Sequence, residues 1–474
     1  MNLFQLKDFL LQSGLAGEFV LFSGVLCIAL CLVLVPRQAF GLSIWICIFS
    51  LGFSFYFFGF TPEEGQFSGF RFWDSLIYLK RFFVVSASAA LFSFLEWRFG
   101  RNLESRPEPF IFLLLSVVGL NLMVQANSYF LLFLGAELFS ICSFGLVKPV
   151  SNTEKQIFSV VQYFGVGAIA SAIGIFGMSW LIGLPTYVSP DSELFAYLPI
   201  LHTIGALMFI SFLLFKIGSF PFHFWIPKVY ESAPTPIVGY ISVVPKVAGV
   251  FAMLWVTAQA NANLTLPLMI IVLSGVVLGN LAALQSESIK NMFAFSSIAQ
   301  AAILLVPAIF YPQIPNSENQ LLIYAVSYGL VNQGAFCAIQ YFENHIQDDL
   351  QLKHFSGQFS SNPLPSLLFV ILILSLVGIP PTIGFSAKLM LFSTLLPGLS
   401  GYGSAIGISV FVVLVLSTLL SMAYFYKIPF LMIFKAKSVE SIAMRSSVSS
   451  LLWLLIISLF AILSFFKPSA FFNF

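Results

Sequence analysis

Four charged residues stand where charge is least welcome. Glu137 follows a charge-free run that begins at Pro109, and no charge precedes Lys216 back to Glu193. After Lys246 the next charge is Glu287, and Lys388 is the only charged residue between Lys353 and Lys427. A charged side chain at bilayer depth costs about 2.5–3.5 kcal/mol on insertion scales, so four facing lipid would cost on the order of 10 kcal/mol. They must face a polar interior, pair with one another, or be hydrated. The residue types suit proton relay. A desolvated ammonium can release its proton, a desolvated carboxyl can keep one, and a nearby counter-charge reverses both tendencies. A moving Glu–Lys contact can therefore load and release a proton. A purely structural ion pair is the plainer reading, but three lysines to one glutamate leave charge unpaired.

Other charges near the apolar runs have simpler explanations. Lys80 and Arg81 stand at the outer start of the third run, where long side chains snorkel to the interface, and Asp74 is their nearest carboxylate. His223 has two readings: a proton donor or acceptor at the inner mouth of the lysine row, or a helix-break residue that bonds a freed carbonyl. His202, His345 and His354 read as interface or loop residues. The five cysteines lie in apolar segments. Cys27 and Cys31 share a helix face, with no further ligand near enough for a metal site, so small apolar packing residues are the expected role.

The elements that must position the four charges are membrane spans. Of the 474 residues, 59% are hydrophobic and only 8% are charged, with a mean hydropathy of +0.97. A soluble chain carries about 25% charged residues, so a water-soluble enzyme is excluded. The net charge of +2 offers no surface to nucleic acid. A spanning helix needs about 20 apolar residues. Candidate spans fall near 19–36, 39–60, 80–97, 108–126, 128–147, 157–182, 198–220, 237–258, 265–285, 291–311, 321–342, 364–396, 405–426 and 450–466, about 14 in all. The first run reads as a mature span, because no transit pattern or cleavage site accompanies it. Loops after odd-numbered spans hold 13 basic residues, against 3 in the even-numbered loops and termini. The positive-inside rule then places both termini outside.

Two spans are interrupted. Span twelve, near 364–396, is too long for one straight helix across a hydrocarbon core of about 30 Å, and Gly378-Ile-Pro380-Pro381 breaks it. Two prolines remove two backbone donors and expose carbonyls, which is tolerated at membrane depth where the break lines a polar cavity. Lys388 follows in the second half-helix. Span seven repeats the device: Lys216, then Pro221 and His223, with Pro227, Pro234 and Pro236 beyond. Breaks five spans apart suggest two repeats, spans 4–8 and 9–13, and an odd number of crossings makes them inverted, a mark of ion transporters. The expected fold is an all-α polytopic membrane protein with two inverted five-helix repeats and broken helices seven and twelve. Its segments are 1–106, 107–260, 261–430 and 431–474.

On these residues the sequence resembles the antiporter-like subunits of respiratory complex I, and most of all the NADH dehydrogenase subunit 2 family. The matching stretches, in family order, are Asn127-Ser-Tyr-Phe-Leu-Leu-Phe-Leu-Gly-Ala-Glu137-Leu, Lys216 with Pro221-Phe-His-Phe-Trp-Ile-Pro227, Ala233-Pro-Thr-Pro236 with Lys246, Ala294-Phe-Ser-Ser-Ile-Ala-Gln300, and Gly378-Ile-Pro-Pro-Thr-Ile-Gly-Phe-Ser-Ala-Lys388. Subunit 4 carries Glu where Lys388 stands, and subunit 5 continues into a lateral helix; both points favour subunit 2. Lys228, Ser232 and Asn291 depart from the family's usual Asp, Gly and Arg. The resemblance implies that Glu137, Lys216, Lys246 and Lys388 are intramembrane proton-pathway residues of an NADH:ubiquinone oxidoreductase subunit. It also implies that flavin, iron–sulfur clusters and quinone belong to partner subunits, and that the neighbours are other complex I membrane subunits and lipid. The chain itself has neither a dinucleotide loop nor cluster-binding cysteine spacing. A sodium/proton antiporter subunit is the main rival, and a membrane scaffold that has lost transport is the second. The 56 phenylalanines suit an organelle-encoded chain, so the expected location is the mitochondrial inner membrane, with a bacterial plasma membrane as the alternative.

Overall fold

The computed structural model describes residues 15–60, 66–67, 70–71, 82–83, 86–87, 89–91, 107–147, 154–187, 197–260, 264–310, 317–344, 350–401, 404–436 and 448–467. Apolar sequence becomes helix throughout, because a backbone in hydrocarbon must bond its own polar groups. In chain order the helices are α1 (Ala16–Leu34), α2 (Ala39–Phe60), α3 (Glu108–Gln125), α4 (Tyr129–Leu146), α5 (Glu154–Tyr187), α6 (Leu198–Ile217), α7 (Trp225–Ser232) and α8 (Thr235–Gln259). They continue with α9 (Thr265–Gln285), α10 (Ile289–Leu304), α11 (Ser317–Glu343), α12 (Pro363–Val377), α13 (Ile383–Gly401), α14 (Ser404–Phe425), α15 (Lys427–Phe434) and α16 (Val448–Phe466). Short helical turns lie at Val306–Phe310, Leu352–Phe355 and Gln358–Ser361. A two-residue antiparallel ribbon pairs β1 (Gln66–Phe67) with β2 (Phe70–Arg71).

Among the described residues, eleven helical stretches are long and apolar enough to cross a membrane. They coincide with expected spans one, two, four to eleven, and thirteen. Span twelve is split into α12 and α13, and the region of span fourteen forms α16. Most of the third expected span lies outside the described residues, as do Asp74, Lys80 and Arg81.

Burial separates the helices into an inner and an outer set. Helix α8 is buried along nearly its whole length, and α10 and α11 are almost as enclosed. In helices α1, α2 and α5 only about a third of the residues are buried, and rows such as Phe158, Val161 and Phe164 turn outward. An apolar outer face is what lipid contact requires; a helix apolar on every side belongs in a core. Helices α3 and α4 approach until a side chain at either contact glycine would strike backbone: a Cβ on Gly119 would lie 2.8 Å from the Gly135 carbonyl oxygen. Small residues permit such close packing without any gain from water exclusion. This contact fixes α4, the helix that carries Glu137.

Both expected breaks are present and end in the same way. Helix α6 stops at Gly218 (φ 69°) and α12 at Gly378 (φ 88°), a left-handed conformation that glycine adopts without a Cβ penalty. The next residue then reaches back: the Ser219 N–H donates to the Leu214 carbonyl, and the Ile379 N–H to the Leu374 carbonyl, each at 3.0 Å. These are Schellman closures. The prolines that follow, Pro221 and Pro380-Pro381, prevent the helix from resuming at once.

One boundary differs from expectation with a consequence. The first helix begins at Ala16 rather than residue 19, which brings Glu18 into its first turn and buries it to 5% exposure. Gln125, at the end of α3, supplies the partner that lets the helix extend past it.

The loop charges make a prediction about sidedness. The expected inner loops around Arg101 and the outer loop around Asp191 lie outside the described residues, whereas Lys435 follows the end of α15. Membrane-impermeant thiol labelling of single cysteines should find positions 101 and 435 on the inner side and 191 outside. Labelling of 191 and 435 from one side would overturn the assigned topology.

Candidate functional site

The row of buried charge begins where α4, α5 and α6 meet. Lys216, in the last turn of α6, donates to Glu137 Oε1 at 2.8 Å and also to the Ser140 hydroxyl, one turn further along α4. The Ser171 hydroxyl on α5 donates to the same Glu137 oxygen at 2.7 Å. The two partners differ in access: the Lys216 side chain is 2% exposed and that of Glu137 is 27% exposed. Phe212 and Phe215 lie beside the ammonium, with ring centroids at 4.6 and 5.5 Å. Aromatic faces soften the desolvation of a cation without offering it a proton acceptor. Only the carboxylate and the serine do that.

Lys246 stands at the centre of α8, directly after Pro245. Its ammonium donates to the Ser297 backbone carbonyl at 2.7 Å and to the Ser297 hydroxyl. That hydroxyl lies 3.0 Å from the Tyr230 hydroxyl of α7. The recorded partners of Lys246 are thus neutral, and its hydrogen-bonded neighbour continues into a second hydroxyl.

Lys388, in α13, turns back to the break that precedes it. The ammonium donates to the carbonyls of Leu376 (3.0 Å) and Val377 (2.9 Å), the last two residues of α12. These are carbonyls that a helix end leaves without intrahelical partners, and the negative end of the helix dipole favours a cation there. A cavity of about 10 Å³ adjoins Lys388, and its lining includes Gln300, Tyr324, Ser327 and Tyr328. That volume is on the order of one water molecule. Tyr324 donates to the Gln300 side chain, and Gln300 lies one turn beyond Ser297 on α10. Buried polar groups therefore continue from the Lys246 level to Lys388.

The remaining assignments divide. Pro221, Pro380 and Pro381 lie in the breaks as expected. His223 lies in the first break, its ring between those of Phe220 and Phe224 at 5.7 and 4.4 Å. His354 accepts from the Gln351 N–H in a capping turn, and His202 lies in α6. Groups of three or more potential metal ligands are absent among the described residues.

Several polar partners carry no chemical signal of their own in the sequence. Ser297 lies in the matched stretch 294–300 but nothing there points to Lys246, and Tyr230 looks like an ordinary helix residue until it meets Ser297. The Tyr424 hydroxyl of α14 reaches Ser296 at 3.1 Å, and Asn280 of α9 reaches the Ser417 hydroxyl at 2.9 Å. Gln125 donates to Glu18 Oε1 at 2.5 Å, while the other Glu18 oxygen is buried without a partner.

The break beside Lys388 can be tested directly. In Pro380→Ala with Pro381→Ala, helical hydrogen bonding regains two donors, so α12 and α13 should become more continuous and withdraw the carbonyls that hold Lys388. Transport should fall by roughly 10-fold, a barrier change of about 1.4 kcal/mol, with the protein still assembled. Unchanged transport would mean that the break serves packing alone.

Enclosed helices, three buried lysines, a partly exposed glutamate paired with one of them, and two helices broken beside lysines define a polytopic membrane protein with charge held inside its helices. The comparisons narrow the class. The family profile described as NADH:quinone oxidoreductase/Mrp antiporter, TM, matches residues 126–415, and the chain belongs to that family. NADH-quinone oxidoreductase subunit N of Chlorobium chlorochromatii (strain CaD3) is 31% identical over 339 residues, 68% of this chain and 65% of that protein, so the match spans just under two thirds of that relative's length. Subunit N of Geobacillus sp. (strain WCH70) is 33% identical over 375 residues, 74% of each chain. Among solved structures, a chain of respiratory complex I from Thermus thermophilus superposes with a TM-score of 0.80 at 21% identity, covering 96% of this chain and 98% of that one. A chain of the Mrp complex from Dietzia sp. DQ12-45-1b gives 0.77 at 15% identity, covering 97% and 95%. These two likenesses establish the shared fold.

Proposed function

We propose that this chain is the proton-translocating membrane subunit of an NADH:quinone oxidoreductase, complex I, driven by redox chemistry in other subunits. The observation that carries the reading is the Glu137–Lys216 pair together with the buried, hydrogen-bonded Lys246 and Lys388, in a chain whose relatives are named subunit N of that enzyme. Each lysine has a different way of holding its charge: a carboxylate at Lys216, hydroxyl and carbonyl at Lys246, helix-end carbonyls at Lys388. A proton can move along such a row when one contact lengthens and the next shortens, since a counter-charge favours the charged form of its partner. Redox energy supplied by neighbouring subunits would shift those contacts. Flavin, iron–sulfur clusters and quinone belong to those subunits in this reading.

The fold reading has 14 spans, with spans 4–8 and 9–13 as inverted repeats within segments 107–260 and 261–430, flanked by 1–106 and 431–474. Its support is the matched pair of breaks, each closed by a left-handed glycine and followed by proline. His223 is proposed as an auxiliary proton donor beside the first break. Both termini are placed outside on the strength of the loop charges.

Two observations bear on the membrane concerned. The 56 phenylalanines favour an organelle-encoded chain in the mitochondrial inner membrane, and the bacterial relatives favour a plasma membrane. Fractionation of the source cells decides between them. The second functional reading, an Mrp-type sodium/proton antiporter subunit, is favoured by the family profile and the Dietzia structure. A mass inventory of the native complex separates the two functions. Flavin- and iron–sulfur-bearing subunits should accompany this chain; a complex of transporter subunits alone, inert to NADH, would overturn the redox-driven reading.

A further inference from the structure

At one end of the bundle the helices splay around a cavity of about 820 Å³, formed by the starts of α5 and α10 and the ends of α7, α9 and α11. Its charged lining comprises Lys228, Lys290, Glu231, Glu287 and Glu343, three carboxylates against two ammoniums. The excess is negative, which attracts hydrated cations and repels phosphate or other anions. Lys228 is occupied with the Gln162 side chain at 2.7 Å. Lys290 pairs with Glu343 at 2.8 Å, and Thr235, the first residue of α8, donates to the same carboxylate. Asn291 donates to Glu231.

Three helices with a residue at or bonded to this lining, α7, α8 and α10, carry a second polar group deeper in the protein. On α7, Glu231 is followed inward by Tyr230; on α10, Asn291 is followed by Ser297, about 9 Å further at 1.5 Å per residue. On α8, Thr235 is followed by Lys246, about 16 Å away on the same measure. The deeper groups are bonded to one another: Tyr230 to Ser297, and Ser297 to Lys246. Access falls along the same direction. The Glu343 side chain is 29% exposed, Lys290 12%, Ser297 and Lys246 only 2% each, and Tyr230 is fully enclosed.

We propose that this vestibule is the proton-uptake mouth for Lys246, and that Glu343 is its acceptor group, held between Lys290 and Thr235. The inference rests on the proton-translocating reading above and names the uptake site within it. Hydronium at the mouth gives one proton to the Glu343 carboxylate and leaves as water. The neutral carboxyl releases Lys290. The Lys246 amine gains one proton along the hydroxyls of Ser297 and Tyr230 and intervening water, and Glu343 returns to its carboxylate by losing one. One proton enters and one arrives, with no bond broken except O–H and N–H.

The test uses the whole complex in liposomes, reading NADH-driven proton translocation against NADH oxidation. Glu343→Gln keeps the size and the Thr235 contact but cannot carry the proton, and translocation should fall ~10-fold or more with assembly intact. Glu343→Asp should recover most of it. The double exchange Lys290→Glu with Glu343→Lys keeps an ion pair but moves the carboxylate off the Thr235 position, and should remain impaired. Native translocation by either Glu343→Gln or the exchange would overturn the assignment and leave a structural clamp. If Glu343→Gln does not assemble, Ser286→Cys on the vestibule wall serves instead: a cationic methanethiosulfonate should react faster than an anionic one and should block translocation until reduced. Full modification with unchanged translocation would equally overturn it. Lys246→Met run in parallel separates the failures. If Lys246→Met stops translocation and Glu343→Gln does not, only the uptake site is wrong; if Lys246→Met translocates normally, the proton-carrying reading itself fails.

Discussion

Lys246→Met should reduce proton translocation by ~100-fold or more, the scale of a lost acid–base group, while the complex still assembles. The reason lies in the packing. Lys246 is enclosed on α8, and its stem lies among buried apolar neighbours that methionine can also touch. What methionine cannot do is donate to the Ser297 carbonyl and hydroxyl. The exchange leaves those acceptors with other, neutral partners, including the Tyr230 hydroxyl. Stability should therefore change little, because no buried charge is left behind. Lys246→Arg keeps a charge, but a guanidinium does not release its proton and brings a planar fork to a site built for a compact ammonium. It should be as inactive as methionine. Vesicle acidification by the assembled variants checks both, and native rates from Lys246→Met would remove Lys246 from the pathway.

The pair at α4 and α6 gives the second large effect, with a different signature. Glu137→Gln leaves the buried Lys216 ammonium without a counter-charge, held by neutral acceptors, the Ser140 hydroxyl and the amide oxygen, beside the two phenylalanine rings. Removing one partner of a buried ion pair costs about 3–5 kcal/mol. Here the carboxylate side is partly open, so the loss should be smaller and the complex should survive with translocation largely abolished. Removing both charges, Glu137→Gln with Lys216→Met, eliminates the unpaired ion. The double variant should be at least as stable as Glu137→Gln in thermal unfolding and no more active. Recovery of stability without recovery of translocation separates a working pair from a structural one. If activity returned along with stability, the pair would be a clamp.

Much of this was legible because hydrocarbon is an unforgiving solvent. A charge within 20 apolar residues has few physical excuses, so Glu137, Lys216, Lys246 and Lys388 announce themselves by isolation alone. Proline pairs are equally legible, since no helix passes Gly378-Ile-Pro380-Pro381 unbroken. The unread part consists of partners. The stretch 294–300 stands out by resemblance, but that Ser297 and Tyr230 serve Lys246 follows only from their placement, since serine and tyrosine are common in membrane helices. Two carbonyls hold Lys388, and a backbone carbonyl has no sequence signature at all. Glu18 is silent for a related reason: at the edge of an apolar run, a carboxyl is indistinguishable in sequence from one just outside the span. Only the distant Gln125 shows that it lies inside.

Lys228, Ser232 and Asn291, the three departures from the resembled family's pattern, all line the same vestibule. None touches the lysine row. These departures thus gather at the vestibule, where water can compensate for a changed side chain, and none falls on Glu137, Lys216, Lys246 or Lys388.

The central claim is that these buried groups carry protons rather than clamp helices, and Lys216→Arg tests it most directly. Arginine preserves the positive charge, can still pair with Glu137, and can do so with two donors. It keeps the charge and the ion pair but loses proton release, and normal subunit composition shows that its larger planar group is accommodated. In the intact complex reconstituted into liposomes, NADH-driven proton translocation should be severely reduced at normal subunit composition. Native translocation by an assembled Lys216→Arg complex would contradict the account.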